Sequence, residues 1–142
     1  MINHFRGEYG WLSNFADCPI ELNGITYPSV ENAYMSCKSS DSQWKLFCRD
    51  NDASTVKKKS KEIELRKGWD NIKLTAMKHC LFAKFYQEPF KSRLLATGDQ
   101  NIVEGNYWND TFWGVDLKQN PNVGENHLGR LIMEVRKVIR NN

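Results

Sequence analysis

Pro19-Ile20-Glu21-Leu22-Asn23-Gly24-Ile25-Thr26-Tyr27-Pro28-Ser29-Val30-Glu31 joins two kinds of structure in thirteen residues. Asn-Gly is the favoured pair for a two-residue type I′ turn, because both central residues must take positive φ. The turn puts Leu22 opposite Ile25 and Ile20 opposite Tyr27, so one apolar face is expected on the core. Pro28 stops the strand, and Ser29 can cap a helix reaching about Ser39.

Further along, the pattern turns helical. Helices are expected over Ser42 to Asp50 and Ala53 to Ser60. Trp69 to Phe85 is the clearest, with Trp69, Ile72, Ala76, Met77, Cys80, Leu81 and Phe85 spaced by three and four. Pro89 to Ala96 reads as a short helix ended by Thr97-Gly98. Ile102-Val103-Glu104 and Phe112-Trp113-Gly114-Val115 read as short strands around an Asn/Asp/Gly-rich loop. The last helix, Asn126 to Ile139, has Leu128, Leu131, Ile132, Val135, Val138 and Ile139 on one side. Strands and helices do not alternate as a doubly wound sheet requires. The fold class is α+β, a helix-dominated single domain over 1–142 with a small β-hairpin or sheet.

The size agrees: 142 residues, 40% of them hydrophobic, suffice for one core. There is no run long enough to span a bilayer and no secretory pattern at the start, so a soluble cytoplasmic protein with no membrane partner is expected. Cys18, Cys37, Cys48 and Cys80 form no Cys-x-x-Cys pair and share no ligand spacing with His4, His79 or His127. Metal is not expected, and the cysteines read as buried free thiols. The charge of +3 is concentrated in residues 57–67, which alone carry +4. Such a face suits phosphate or nucleic acid, although charged helix faces are usually just solvated.

Three stretches could carry chemistry. Phe5-Arg6-Gly7-Glu8-Tyr9-Gly10-Trp11-Leu12-Ser13-Asn14-Phe15 sets an arginine, able to clamp a phosphate, among glycines and aromatics. In Ser29–Lys38, Glu31 and Lys38 stand seven apart, on one face two turns apart, with Tyr34 and Met35 between. A carboxylate and an amine there can do acid–base work, and the amine can form an imine with a sugar aldehyde. On spacing alone, the better reading of Glu31 is a solvated first-turn carboxylate favoured by the helix dipole. In Val103–Asp116, carboxylates alternate with aromatics, as suits a base stacked beside a ribose; singly, Trp108 and Trp113 also read as core aromatics.

Taken in order, the pieces resemble the NADAR (YbiA-like) family. They are Leu12-Ser13-Asn14-Phe15; Ser29-Val30-Glu31-x-Ala33-Tyr34-x-x-x-Lys38; Lys84-Phe85; Thr97-Gly98-Asp99; Val103-Glu104-Gly105-Asn106; Asp110-x-Phe112-Trp113-Gly114; and Gly124-x-Asn126-x-Leu128-Gly129-Arg130-Leu131-Ile132-Met133-Glu134-Val135-Arg136. The resemblance runs from about Phe5 to Ile139.

It implies a small α+β hydrolase that breaks the C1–N bond of a ribose carrying a 5′-phosphate group. The substrate would be a ribosylamino-pyrimidine phosphate of riboflavin synthesis, or guanine bearing ADP-ribose in nucleic acid, so ADP-ribosylated DNA is an expected partner. It implies Glu31, Lys38 and Asp110 as catalytic residues. Lys38 would trap C1 as an imine, and Asp110 would hold hydroxyls or the developing positive charge. Arg6, Gly7, Asn14, Phe15, Tyr34, Lys57, Trp69, Trp108, Trp113 and Gly114 would bind substrate, with no cofactor. The competing expectations are a non-catalytic ADP-ribose or NAD module, and a nucleic-acid-binding domain using residues 57–67. Two departures stand out. The family's Ala-Lys-x-x-Gly-Arg is here Val56-Lys57-Lys58-Lys59-Ser60-Lys61, and Asn32 follows Glu31 where histidine is common.

Overall fold

The computed structural model describes residues 1–142. The chain divides into two compact units, one of residues 1–13 and 85–142, the other Asn14–Lys84. The elements are helix-rich with minimal β structure, as the sequence predicts.

Asn14–Lys84 begins with the hairpin β1 (Ile20–Leu22) and β2 (Ile25–Tyr27), antiparallel in the expected register. Asn23 and Gly24 have φ of 51° and 84°, the two positive values that a type I′ turn needs. Ile20 and Tyr27 are buried; Leu22 and Ile25 are only half covered, so the core grips the open end of the hairpin rather than its tip.

Four helices follow: α1 (Val30–Ser36), α2 (Ser42–Asp50), α3 (Ala53–Lys59) and α4 (Trp69–Phe85). The Ser29, Asp41 and Asp52 side chains cap α1, α2 and α3 by accepting from Asn32, Gln43 and Thr55 N–H groups, each cap contributing about 1 kcal/mol. α1 stops short of the expected Ser39. The Cys37 and Lys38 N–H groups instead donate back to Tyr34 and Met35, a tight terminal turn. Residues 60–62 continue α3 as a single 3₁₀ turn. All seven residues of α1 are buried. Beside them lie Trp44, Cys48, Val56, Met77, Cys80 and Leu81 in this unit's core.

The other unit holds a 3₁₀ helix (Gly7–Leu12), α5 (Phe90–Ala96), β3 (Gly105–Asn106), β4 (Val115–Asp116) and α6 (His127–Arg140). β3 and β4 pair in parallel, and Ile2 bridges Ile102. The expected strands over Ile102–Glu104 and Phe112–Val115 are thus displaced. The N–H groups of Phe112 and Trp113 are taken by the Asp110 side chain, which leaves them unavailable to a ladder. On α6, Leu128, Ile132, Val135 and Ile139 are buried as expected, but Leu131 is half covered and Val138 is exposed. Arg136 is buried instead, its guanidinium donating to Thr97 Oγ1 and the Gln100 carbonyl, both at 2.9 Å. No helix is long and apolar enough to cross a membrane.

Candidate active site

Glu31 is 6% exposed, against the solvated position that its spacing alone suggests. Its N–H donates to the Asn14 carbonyl at 2.9 Å, tying the first turn of α1 to the preceding loop. Asn14 is itself 8% exposed. Its Nδ2 reaches Met77 Sδ at 3.6 Å, while its Oδ1 is buried without a hydrogen-bond partner. An orphan buried acceptor costs about 1–3 kcal/mol, and its retention in a fold points to a use.

Asn32, next to Glu31, is the residue that local spacing could not explain. It is 1% exposed. Its Nδ2 donates to the Cys48 and Asn51 carbonyls at 2.8 and 2.7 Å, and its Oδ1 accepts from Ser29 Oγ at 2.6 Å. The amide thus splices the start of α1 to the end of α2, which fixes the azimuth at which Glu31 projects.

Lys38 is half-buried just beyond the end of α1, its ammonium 6.0 Å from the centroid of the Tyr34 ring. The Tyr34 ring lies 5.4 Å from that of Trp69, tilted by 47°. Burial pushes the Lys38 ammonium below its ordinary value, the Glu31 carboxylate pulls it back up, and Lys57 and Lys73 push it down again. The Lys38 carbonyl accepts from the Arg66 N–H at 2.7 Å, which closes the segment after residue 62 onto this end of the helix. Lys57 is exposed, with its ammonium 5.7 Å from the exposed Phe15 ring. Asn14–Lys84 therefore contains Asn14, Phe15, Glu31, Tyr34, Lys38, Lys57 and Trp69 of the expected set.

The remaining expected residues belong to the other unit. Arg6 and Gly7 are exposed, and the Arg6 guanidinium is 5.4 Å from the Tyr107 ring centroid. Trp108 is 57% exposed, so it is no core aromatic. Trp113 is partly covered and meets Phe112 edge-on at 4.9 Å. Asp110 uses Oδ1 to accept from the Phe112 and Trp113 N–H groups at 3.2 and 2.9 Å. Behind it, the fully buried Asn106 donates to Glu104 Oε2 and the Asp110 carbonyl, both at 2.9 Å. Gly114 is obligatory here, since a Cβ would collide with the Glu104 carboxylate and carbonyl.

One group lies outside the expected set. Lys84 is completely buried, and burial pushes its amine down to about 7. The signal was present: Met77, Cys80, Leu81 and Lys84 fall at helical spacing on the apolar stripe of α4, where a lysine is out of place.

Comparison with known proteins identifies the family. The NADAR domain pattern matches residues 2–140. The N-glycosidase YbiA of Escherichia coli (strain K12) is 34% identical over 92% of this chain and 81% of its own. The N-glycosidase Npun_R5314 of Nostoc punctiforme is 31% identical over 94% and 87%. A maize protein named riboflavin biosynthesis protein PYRR, chloroplastic, is 29% identical over 92% of this chain but only 23% of its own length. The NMR structure of E. coli YbiA superposes with a TM-score of 0.83, at 30% identity, over 99% of this chain and 88% of that one. The chain therefore belongs to the NADAR family, and within it to the hydrolases that act on N-glycosyl bonds.

Proposed function

We propose that this N-glycosidase cleaves the C1–N bond of a ribosylated substrate bearing a 5′-phosphate, with Glu31 and Lys38 as its reacting groups. The observation that carries the reading is the state of Lys38. Its amine is half-buried against Tyr34, held below its ordinary value by burial, and coupled electrostatically to a carboxylate that is itself buried. A surface lysine is protonated and inert at neutral pH; a desolvated one has a neutral, nucleophilic fraction.

The Lys38 ammonium passes one proton to the Glu31 carboxylate; the neutral amine attacks C1 while the base departs with its bonding pair and takes that proton from Glu31. The N-glycosyl ammonium so formed at C1 loses a proton from nitrogen to the Glu31 carboxylate, and the ring oxygen takes that proton from Glu31 as it leaves C1. This gives an imine on Lys38. Water then adds to C1, the amine leaves, and the free aldose phosphate is released. Tyr34 and Trp69, both buried, form an aromatic wall beneath this chemistry, and a ribose hydroxyl that displaces the cover over Asn14 Oδ1 gives that buried acceptor its missing donor. Exposed Lys57 suits the phosphate, as a point charge rather than a bidentate clamp.

Two substrate classes fit: a ribosylamino-pyrimidine phosphate of riboflavin synthesis, favoured by the name of the maize relative, and ADP-ribosylated guanine. Mass spectrometry after incubation with each identifies the base released. Borohydride added during turnover should fix a sugar adduct on Lys38. Absence of an adduct with a substrate that is turned over would sink the imine. Release of neither base by wild-type protein, with both ligands bound, would favour a non-catalytic ADP-ribose or NAD module.

A further inference from the structure

We infer that the recess between the 3₁₀ helix (Gly7–Leu12) and α5 binds a free purine nucleoside monophosphate, at a site separate from Glu31 and Lys38. In the stretch from Phe5 to Phe15, the expected substrate set takes Arg6, Gly7, Asn14 and Phe15. It leaves Glu8, Tyr9 and Trp11 without a task. These three share one wall of a recess of about 380 Å³. A 3₁₀ helix eclipses residues three apart, so Glu8 and Trp11 stand on one ridge, with Tyr9 beside them. The other wall is α5 and the turn after it, which supply Arg93, Thr97 and Gln100. That wall is pinned from α6, where the buried Arg136 guanidinium donates to Thr97 Oγ1 and to the Gln100 carbonyl, both at 2.9 Å. All of these residues belong to the unit of residues 1–13 and 85–142.

The polar groups of the lining are unengaged. Glu8 and Arg93 line one recess yet form no ion pair with each other. No protein hydrogen bond takes up the Glu8 carboxylate, the Arg93 guanidinium, the Tyr9 hydroxyl or the Trp11 indole N–H. Trp11 meets Phe85 edge-on at 6.5 Å, and Tyr9 meets His4 edge-on at 5.6 Å, so neither ring is stacked on another. Both rings are partly exposed.

Two open aromatic rings, a carboxylate and a guanidinium suit a ligand with a flat ring, an N–H edge and an anion. A zwitterionic aromatic amino acid carries its ammonium and carboxylate on one carbon. It would need Glu8 and Arg93 close together, where they would pair with each other. A nucleotide keeps its two polar ends apart. Its base stacks on Trp11 and Tyr9, its amino edge donates to Glu8, and its phosphate meets Arg93. Two fused rings cover more of this aromatic wall than one, which selects purine over pyrimidine. Glu8 and Arg93 cancel in charge, which disfavours a polyanionic strand and favours the free monophosphate. The volume lies within the range of small-molecule sites, roughly 300–1,000 Å³.

Isothermal titration calorimetry of the full chain with AMP, GMP, UMP, L-tryptophan and single-stranded oligo(dA) tests this. AMP and GMP should bind, and UMP should bind about fivefold or more weakly, the lower end of what stacking contributes. Arg93→Ala should weaken AMP by about tenfold or more, the usual loss of a charge-assisted hydrogen bond. The Arg93 side chain is exposed, so this variant leaves the core intact. Glu31→Gln should bind AMP as wild type does, so this site and the glycosidase reading stand or fall separately. In ¹H–¹⁵N spectra AMP should move the Trp11 indole signal, assigned with Trp11→Phe, and leave those of Trp69 and Trp113 in place. An unmoved Trp11 signal with both AMP and GMP would overturn the proposal. So would L-tryptophan binding as well as AMP, oligo(dA) binding more tightly than AMP, unchanged AMP binding by Arg93→Ala, or loss of AMP binding in Glu31→Gln.

Discussion

The Glu31 N–H and the Asn14 carbonyl are joined by a 2.9 Å hydrogen bond, while the Asn14 side chain leaves its own acceptor, Oδ1, unsatisfied. Backbone and side chain of one residue thus do different jobs. Asn14→Leu keeps the first and removes the second at nearly constant shape. Its stability to urea should stay within about 1 kcal/mol of wild type, or rise, since an orphan acceptor costs about 1–3 kcal/mol. Its KM should rise about tenfold or more, the loss of one substrate hydrogen bond. Unchanged KM would remove Asn14 Oδ1 from the site.

Glu31 and Lys38 are coupled, and the sign of the coupling is testable. Burial lowers the Lys38 ammonium and the Glu31 charge raises it. Glu31→Gln abolishes the raising influence and leaves the burial, so Lys38 should lose its proton at lower pH than in wild type. Reductive methylation with ¹³C-formaldehyde and an NMR titration reads this directly. Turnover should fall about a hundredfold or more, within the usual range for loss of an acid–base group. A Lys38 titration moved upward would contradict the assignment.

Lys84 should leave its mark on stability rather than on rate. Burial pushes its amine down to about 7 in the folded chain, against an ordinary 10.5. Between those values the unfolded chain holds the proton and the folded chain does not. Stability therefore rises with pH across this window, by at most about 1.4 kcal/mol per pH unit from this group, and is lost as pH falls from the upper value to the lower. Urea unfolding at about pH 7.5 and about pH 9.5 should show that rise in wild type. Lys84→Met should flatten it.

Asp110 allows its charge to be separated from its hydrogen bonds. Asp110→Asn retains an oxygen able to accept from Phe112 and Trp113. It should unfold as wild type does. Asp110→Ala loses both bonds and should be destabilised by about 1–3 kcal/mol. If the carboxylate meets developing positive charge, the Asn variant should lose at least about tenfold in kcat. Turnover within threefold of wild type would make Asp110 a loop-positioning residue only.

Much of this was legible in advance. Asn23-Gly24 dictates its turn whatever surrounds it, and the bounds of α2 and α4 follow from caps and period. The failures share a cause, which is side chains that bond to distant backbone. Asp110 and Asn106 replaced a strand by a laced loop, and Arg136 took a core position because Thr97 and Gln100 receive its guanidinium. Within the site, Glu31 could not be recognised from its neighbours. Helix α1 is buried at every position, so it has no polar stripe for Glu31 to break. Only the order of motifs along the chain singled it out. What holds the buried Asn32 lay in two carbonyls, one of α2 and one of the loop after it, which no local pattern reveals.

A helix of seven residues with no wet side has a kinetic consequence. Its amides have no nearby water to trade with, so deuterium can enter only when the whole surrounding unit comes apart. The peptide Val30–Ser36 should label among the last in the protein, while Lys57–Lys59 of α3, exposed to solvent, should label early. The frame that holds Glu31 would then be the slowest clock in the molecule, and the lysines offered to phosphate among its fastest.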